Sequence, residues 1–135
     1  MSLSASSSEV KRRAAIGRAY YAAYHRCLDW EQALPGRGDH GQLHGSHERL
    51  IARLKHPHHA CDAATANESR HLGGQLEKQR GHRTMADYRI KGRLPPDALE
   101  EQLQLAQEIL ALCDRPIVTH AYQRLRCQLR PSANR

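Results

Sequence analysis

The chain has 135 residues, with 21 Lys+Arg against 14 Asp+Glu for a formal charge of +7 and hydrophobic residues at 39%. That length suits one domain with its own core, and no stretch approaches the ~20 apolar residues a membrane span needs. The absence of Phe and the shortage of Val, Ile and Thr argue against a β-sheet protein, and a pI of 9.6 makes a polyanion the default partner of any exposed surface.

In chain order, residues 1–8 form a Ser-rich lead expected to be flexible, with Ser8 as a candidate helix cap. Residues 9–34 hold no Pro and are rich in Ala, Arg and Leu, which predicts a long first helix. The turn-rich run PGRGDHGQLHG at 35–45 predicts a loop. Ser46 is a candidate cap for a short second helix with Leu50, Ile51 and Leu54 on one face, stopped by Pro57. A third helix is expected over 60–88, weakened by Gly73, Gly74 and Gly81. GRLPP at 92–96 breaks the chain, and a fourth helix follows over 96–114. Its first turns carry Asp97, Glu100 and Glu101, and Pro116 follows its end. Leu99, Leu103, Ala106, Leu110 and Cys113 predict a core seam on it, with Leu105, Ile109 and Leu112 as a second stripe. Residues 115–135 form a basic C-terminal helix or tail, with a helix expected over 117–129 and five arginines without an acid. The expected fold is all-α: an antiparallel four-helix bundle over 9–114 with an extra C-terminal segment.

Cys27, Cys61, Cys113 and Cys127 show no C-x-x-C spacing, and Cys27 and Cys113 sit among apolar residues. The opening MSLSASSSEVKRR contains no apolar run, so a signal peptide is not expected, and free thiols in a cytoplasmic protein are. His40, His44 and His47 precede the second helix, and His56, His58, His59 and Cys61 follow it. These are ligand types that zinc, nickel or copper accept, but the spacing matches no closed zinc signature, and no metal or other cofactor is expected.

Two stripes mix polar and apolar residues. Ala14, Arg18, Tyr21, His25 and Leu28 step by helical spacing, which puts Arg18 and His25 either on a core stripe or at its edge, snorkelling to water. Leu72, Leu76, Arg80, Arg83 and Asp87 form a stripe that turns ionic towards the end of the third helix, with Arg83 and Asp87 as i,i+4 neighbours. Arg80, Arg83, Arg89, Lys91 and Arg93 against Asp87 make this end basic. One reading is a solvated charged face. The other is a basic cleft beside the Arg18–His25 end, suited to a phosphodiester because guanidinium presents a planar fork to phosphate oxygens.

The segment Arg13–His25, RAAIGRAYYAAYH, resembles the R-A-x-x-R-A-Y-Y-A-x-x-H signature of a large subgroup of the HEPN superfamily of prokaryotic helical bundles. Leu76–Tyr88, LEKQRGHRTMADY, is similar to the R-x-x-A-D-Y end of that subgroup's third helix, and His44–Leu54 resembles its short second helix. The likeness spans residues 9–114. It implies a bundle that dimerises, with the third-helix motifs of both copies facing a shared cleft. Many HEPN proteins are metal-independent ribonucleases, often toxins of toxin–antitoxin or phage-defence systems, with a site made of an Arg and a His a few residues on. By position that Arg is Arg83 and the polar residue after it is Thr84, while the His position falls at or near Tyr88, so the usual His is absent. The subgroup usually carries Asp and Tyr there, as Asp87 and Tyr88 do here.

The expected function is therefore RNA-directed, as a metal-independent ribonuclease. Arg83 is the cation for the phosphoryl oxygens, Asp87 its support, His25 the proton-transfer group and Tyr88 a hydrogen-bond donor. Imidazole is the side chain that ordinarily changes charge between pH 5 and 8, which selects His25. Arg18 and His25 also fit an Arg-spacer-His pattern. Arg18, Arg80, Arg89 and Lys91 are candidate RNA contacts. The resemblance also implies a nucleotidyltransferase antitoxin that modifies a Tyr near the motif, for which Tyr88 is the candidate. The alternatives are a non-catalytic module that binds RNA, a nucleotide or a nucleotidyltransferase partner, and a helical subunit whose basic tail contacts phosphates non-specifically.

Overall fold

The computed structural model describes residues 3–88 and 94–115, and the fold is all-helical. Helix α1 runs Leu3–Gln32, α2 Ser46–Lys55, α3 Ala63–Tyr88 and α4 Ala98–Cys113. The expected helix over 117–129, Cys127, Arg89 and Lys91, and the side chain of Tyr88, lie outside the described residues. None of the described helices is long and apolar enough to cross a membrane.

Helix α1 begins at Leu3, so Ser8 lies inside it and does not cap it. The first residue of α2 is Ser46, and Gly45 takes the cap position. Asp62 caps α3 instead, accepting a hydrogen bond from the Thr65 backbone N–H at 2.7 Å.

Helix α1 packs on α3 and α4, α2 lies on α3, and α3 meets α4. The α1 core stripe is Ile16, Tyr20, Ala23, Cys27 and Trp30, all buried. This line has the same 4,3,4,3 spacing as the expected one but sits beside it. Ala14, Arg18, Tyr21 and His25 are exposed, so Arg18 and His25 are surface groups rather than core groups. The apolar line wins because burying Arg18 would desolvate an unpaired charge.

The α4 seam is displaced in the same way. Its buried line is Ala98, Gln102, Ala106, Ile109 and Cys113, while Leu103 is 46% exposed. A polar residue holds the centre because its amide N–H group has partners. Gln102 Nε2 donates to the Ile16 carbonyl at 3.2 Å and the Gln79 carbonyl at 3.0 Å, and Gln79 Nε2 donates to the Gln102 carbonyl at 3.0 Å. Both glutamines are fully buried, and these bonds tie α1, α3 and α4 together at one level.

Helix α2 is set by three contacts. Arg53 donates to Glu31 through Nε at 2.6 Å and NH2 at 2.9 Å, with both side chains buried. Ser69 Oγ donates to the Leu54 carbonyl at 2.7 Å. Gly73 faces the same turn: a Cβ there would stand 2.7 Å from Lys55 Cγ and 3.1 Å from the Lys55 backbone N, so its lack of a side chain lets α2 approach α3. The glycine expected to weaken α3 is thus a packing residue.

Cys27 and Cys113 are buried and free, as their apolar neighbours predict, and Cys61 is free as well. A hydrogen bond with Cys113, together with burial, holds the Cys27 thiol well above its ordinary range.

Removing one partner of a buried bidentate ion pair strands the other. Arg53→Ala is expected to destabilise the fold by about 3–5 kcal/mol, whereas Arg53→Met combined with Glu31→Leu should lose far less. Urea unfolding followed by circular dichroism measures both.

Candidate functional site

Where α1, the first turn of α2 and the second half of α3 meet, rings and guanidinium groups converge. Tyr20, Tyr21, Tyr24 and His25 come from consecutive turns of α1. His47 comes from the start of α2, and Arg80, Arg83 and Asp87 come from α3.

His47 is at the centre. Its ring stacks on Tyr24 with centroids 4.2 Å apart and lies 5.5 Å from the Tyr20 ring. The Tyr20 hydroxyl and His47 Nδ1 share a hydrogen bond of 2.7 Å. His25 packs edge-on against Tyr24 at 5.3 Å and lies 6.4 Å from Tyr21, so the two imidazoles flank one tyrosine. The Arg83 guanidinium lies over the Tyr21 ring at 4.5 Å and the Tyr20 ring at 5.5 Å. Each such cation–π contact is worth roughly 0.5–1 kcal/mol at a partly exposed site. Arg83 Nε also pairs with Asp87 Oδ2 at 3.1 Å, one turn on. Arg80 NH2 reaches Glu48 Oε1 across the α2–α3 seam at 3.3 Å.

The electrostatics follow from this crowding. Burial lowers the affinity of His47 for a proton, and Arg83, Arg80 and His25 lower it further, so its pKa lies below the ordinary imidazole value of 6.5. His47 is therefore neutral at neutral pH. Burial pushes the Tyr20 hydroxyl up to about 12, with Arg80 and Arg83 pulling the other way, so it remains a phenol. The Arg–carboxylate pairs are half exposed and thus worth little, so a competing phosphate displaces either carboxylate at small cost.

The turn carrying Arg83 and Asp87 is clamped from α1. Arg13 donates to the Ala86 carbonyl and pairs with Glu9 at 3.2 Å, and Glu9 accepts from the Leu94 backbone N–H at 3.2 Å. That last bond, helped by Arg13, holds the Glu9 carboxyl below its usual range. Arg13 thus acts on the site through α3.

Of the residues singled out in the sequence, Arg83, Asp87, Arg80 and His25 come together here. Arg18 is exposed and makes no ion pair among the described residues. The sequence reading missed Tyr20, Tyr21 and Tyr24 as site residues and placed His47 only among loop histidines. A ring-rich stripe at i, i+1 and i+4 was a visible signal for the tyrosines, whereas the approach of α2 was not. Elsewhere His58 and His59 stack at 4.0 Å, and no group of three or more His, Cys, Asp or Glu able to hold a metal ion occurs among the described residues. A groove of about 230 Å³ opens along α2 and α3, lined by Leu43, Glu48, Ile51, Lys55, Glu77 and Arg80, and shares Glu48 and Arg80 with the ring cluster.

Comparison with protein-family models, curated proteins and solved structures returns no match.

Because Arg83 disfavours the protonated ring of His47, Arg83→Ala is expected to raise the His47 pKa. An NMR titration of the imidazole Cε1–H signals reads the shift. The linked effect on stability runs in the same sense. A depressed imidazole pKa contributes stability above about 6.5, and this is lost as the pH falls from there towards the folded pKa.

Proposed function

We propose that this chain acts on RNA as a HEPN-like, metal-independent ribonuclease of a toxin–antitoxin or phage-defence system. In this reading the four helices form an antiparallel bundle that pairs with a second copy. The observation that carries it is the convergence of two guanidinium groups, Arg80 and Arg83, with the imidazoles His25 and His47 on one partly exposed face.

Cleavage of RNA without a metal has two requirements. A proton acceptor must serve the ribose 2′-hydroxyl, and a cation must lie where charge grows on the phosphoryl oxygens. Arg83 meets the second. Tyr21 supports the guanidinium from below and Asp87 holds it from the side, so its remaining N–H donors are oriented before substrate arrives. Arg80 offers a second fork, and displacement of Glu48 frees it for the next phosphate. His25, exposed at the rim, is in position to transfer a proton. The formal charge of +7 favours the approach of a polyanion. In this setting a nucleotidyltransferase partner acts at Tyr88, and Arg18, Arg89 and Lys91 extend the phosphate contacts.

A second reading, RNA binding without cleavage, draws on the Tyr at position 88 where the usual His would stand. One experiment separates the two. Purified protein is incubated with total RNA in EDTA, and cleavage is compared for wild type, Arg83→Ala and, as a control outside the site, Arg70→Ala, an exposed arginine near the start of α3. Cleavage by wild type and control, lost about 100-fold or more in Arg83→Ala, is expected. Binding that weakens steeply with salt, without cleavage in EDTA, establishes the second reading. Equal cleavage by all three proteins excludes the site.

A further inference from the structure

On α3 the residues from Thr84 to Asp87 include no histidine, and His82, next to Arg83, turns to Glu101 of α4 at 3.5 Å, yet an imidazole stands against the Arg83 turn from another helix. We propose that His47, on the first turn of α2, is the catalytic base that takes the ribose 2′-hydroxyl proton, with Tyr20 as its positioning residue. This rests on the ribonuclease reading above and names the group that completes its site.

Three features of geometry carry the inference. The ring is fixed in orientation, because Tyr24 stacks on its face at 4.2 Å and Tyr20 holds Nδ1 at 2.7 Å. The other ring nitrogen, Nε2, has no hydrogen-bond partner among the described residues. The groups packed around the ring suit the chemistry. From α1 these are Tyr20, Tyr21, Tyr24 and His25, and from α3 they are Arg80 and Arg83, with Glu48 beside it on α2. Burial first, then two cations and a second imidazole, disfavour the proton on His47, and the Tyr20 hydroxyl, fully buried, stays a phenol that donates to Nδ1 in the tautomer carrying its proton on Nε2. The opposite tautomer, in which Nδ1–H donates to the tyrosine oxygen, leaves the Nε2 lone pair free to accept a proton. The hydroxyl rotates to serve either form, so one hydrogen bond persists as the ring gains and loses its proton.

The step balances as follows. Nε2 of His47 takes the proton of the 2′-hydroxyl, and the 2′-oxygen forms a bond to phosphorus while the bond from phosphorus to the 5′-oxygen breaks. The protonated form of His25, across Tyr24, gives its proton to the departing 5′-oxygen. The products are a 2′,3′-cyclic phosphate and a 5′-hydroxyl end. Exchange with water then returns both imidazoles to their starting states. Arg83 lies over Tyr21, a ring that neighbours both imidazoles, and meets the phosphoryl oxygens there.

The test uses the full chain, a defined single-stranded RNA oligonucleotide and EDTA, with wild type, His47→Gln, Tyr20→Phe and Arg83→Ala compared. Circular dichroism melting confirms that each variant is folded. For His47→Gln we expect kcat to fall about 100-fold or more with KM for RNA changed less than about threefold, and the acidic limb of the pH–rate profile to vanish. Tyr20→Phe, which keeps the ring and loses the hydroxyl, is expected to keep KM, lower kcat about tenfold and shift that acidic limb. A wild type that cleaves, alongside a folded His47→Gln that retains kcat within about threefold and keeps the acidic limb, overturns this inference and leaves the ribonuclease reading standing. A wild type that produces no cyclic-phosphate ends in EDTA overturns both.

Discussion

The buried ion pair between Arg53 and Glu31 decides where the second helix lies, and much of the site depends on that placement. Helix α2 is only ten residues long, too short to be stable by itself. The pair ties it to the end of α1, Ser69 and Gly73 seat it on α3, and Leu50, Ile51 and Leu54 bury its apolar face. With α2 fixed, His47 and Glu48 at its start meet α1 and α3. Arg53 and His47 are six positions apart, so a salt bridge at one end of a short helix sets the imidazole at the other.

A second constraint sets the α3 side. The amides of Gln79 and Gln102 lock α3, α4 and the Ile16 carbonyl of α1 at one level. One turn after Gln79, Arg83 leaves the core and finds Tyr21 and Tyr20. Arg13 clamps the Ala86 carbonyl within the same turn, so the guanidinium is held by packing and by hydrogen bonds on separate elements. Positioned groups of this kind are what catalysis by orientation and charge stabilisation needs, and the proposed reaction uses little else.

The features legible in the sequence are those that depend on neighbours along a helix. Arg83 and Asp87 are one turn apart, and the pair forms as read. The four helices follow the breaks at Pro35, Pro57 and the 92–96 run, with boundaries moved by a few residues except at the start of α1. Features set by tertiary contact were not legible. On α1 two adjacent lines share the same spacing, and only the partner helices choose the one with Ile16, Cys27 and Trp30. On α4 the apolar pattern pointed to Leu103, but Gln102 occupies the core because its amide meets two carbonyls from other helices. His47 lies 36 positions before Arg83, and nothing in periodicity links them. Gly73 looked like a weakness because the backbone of α2 that presses on it was not in view.

The central claim is that the face joining His25, His47 and Arg83 receives an RNA backbone. The most direct measurement is an NMR titration of the protein with a non-cleavable RNA in which each 2′-hydroxyl is methylated, following the imidazole signals and the Arg83 Nε–H. The account predicts that these signals shift together and saturate at one RNA concentration. Saturation that moves signals elsewhere while His25, His47 and Arg83 stay unchanged would contradict it.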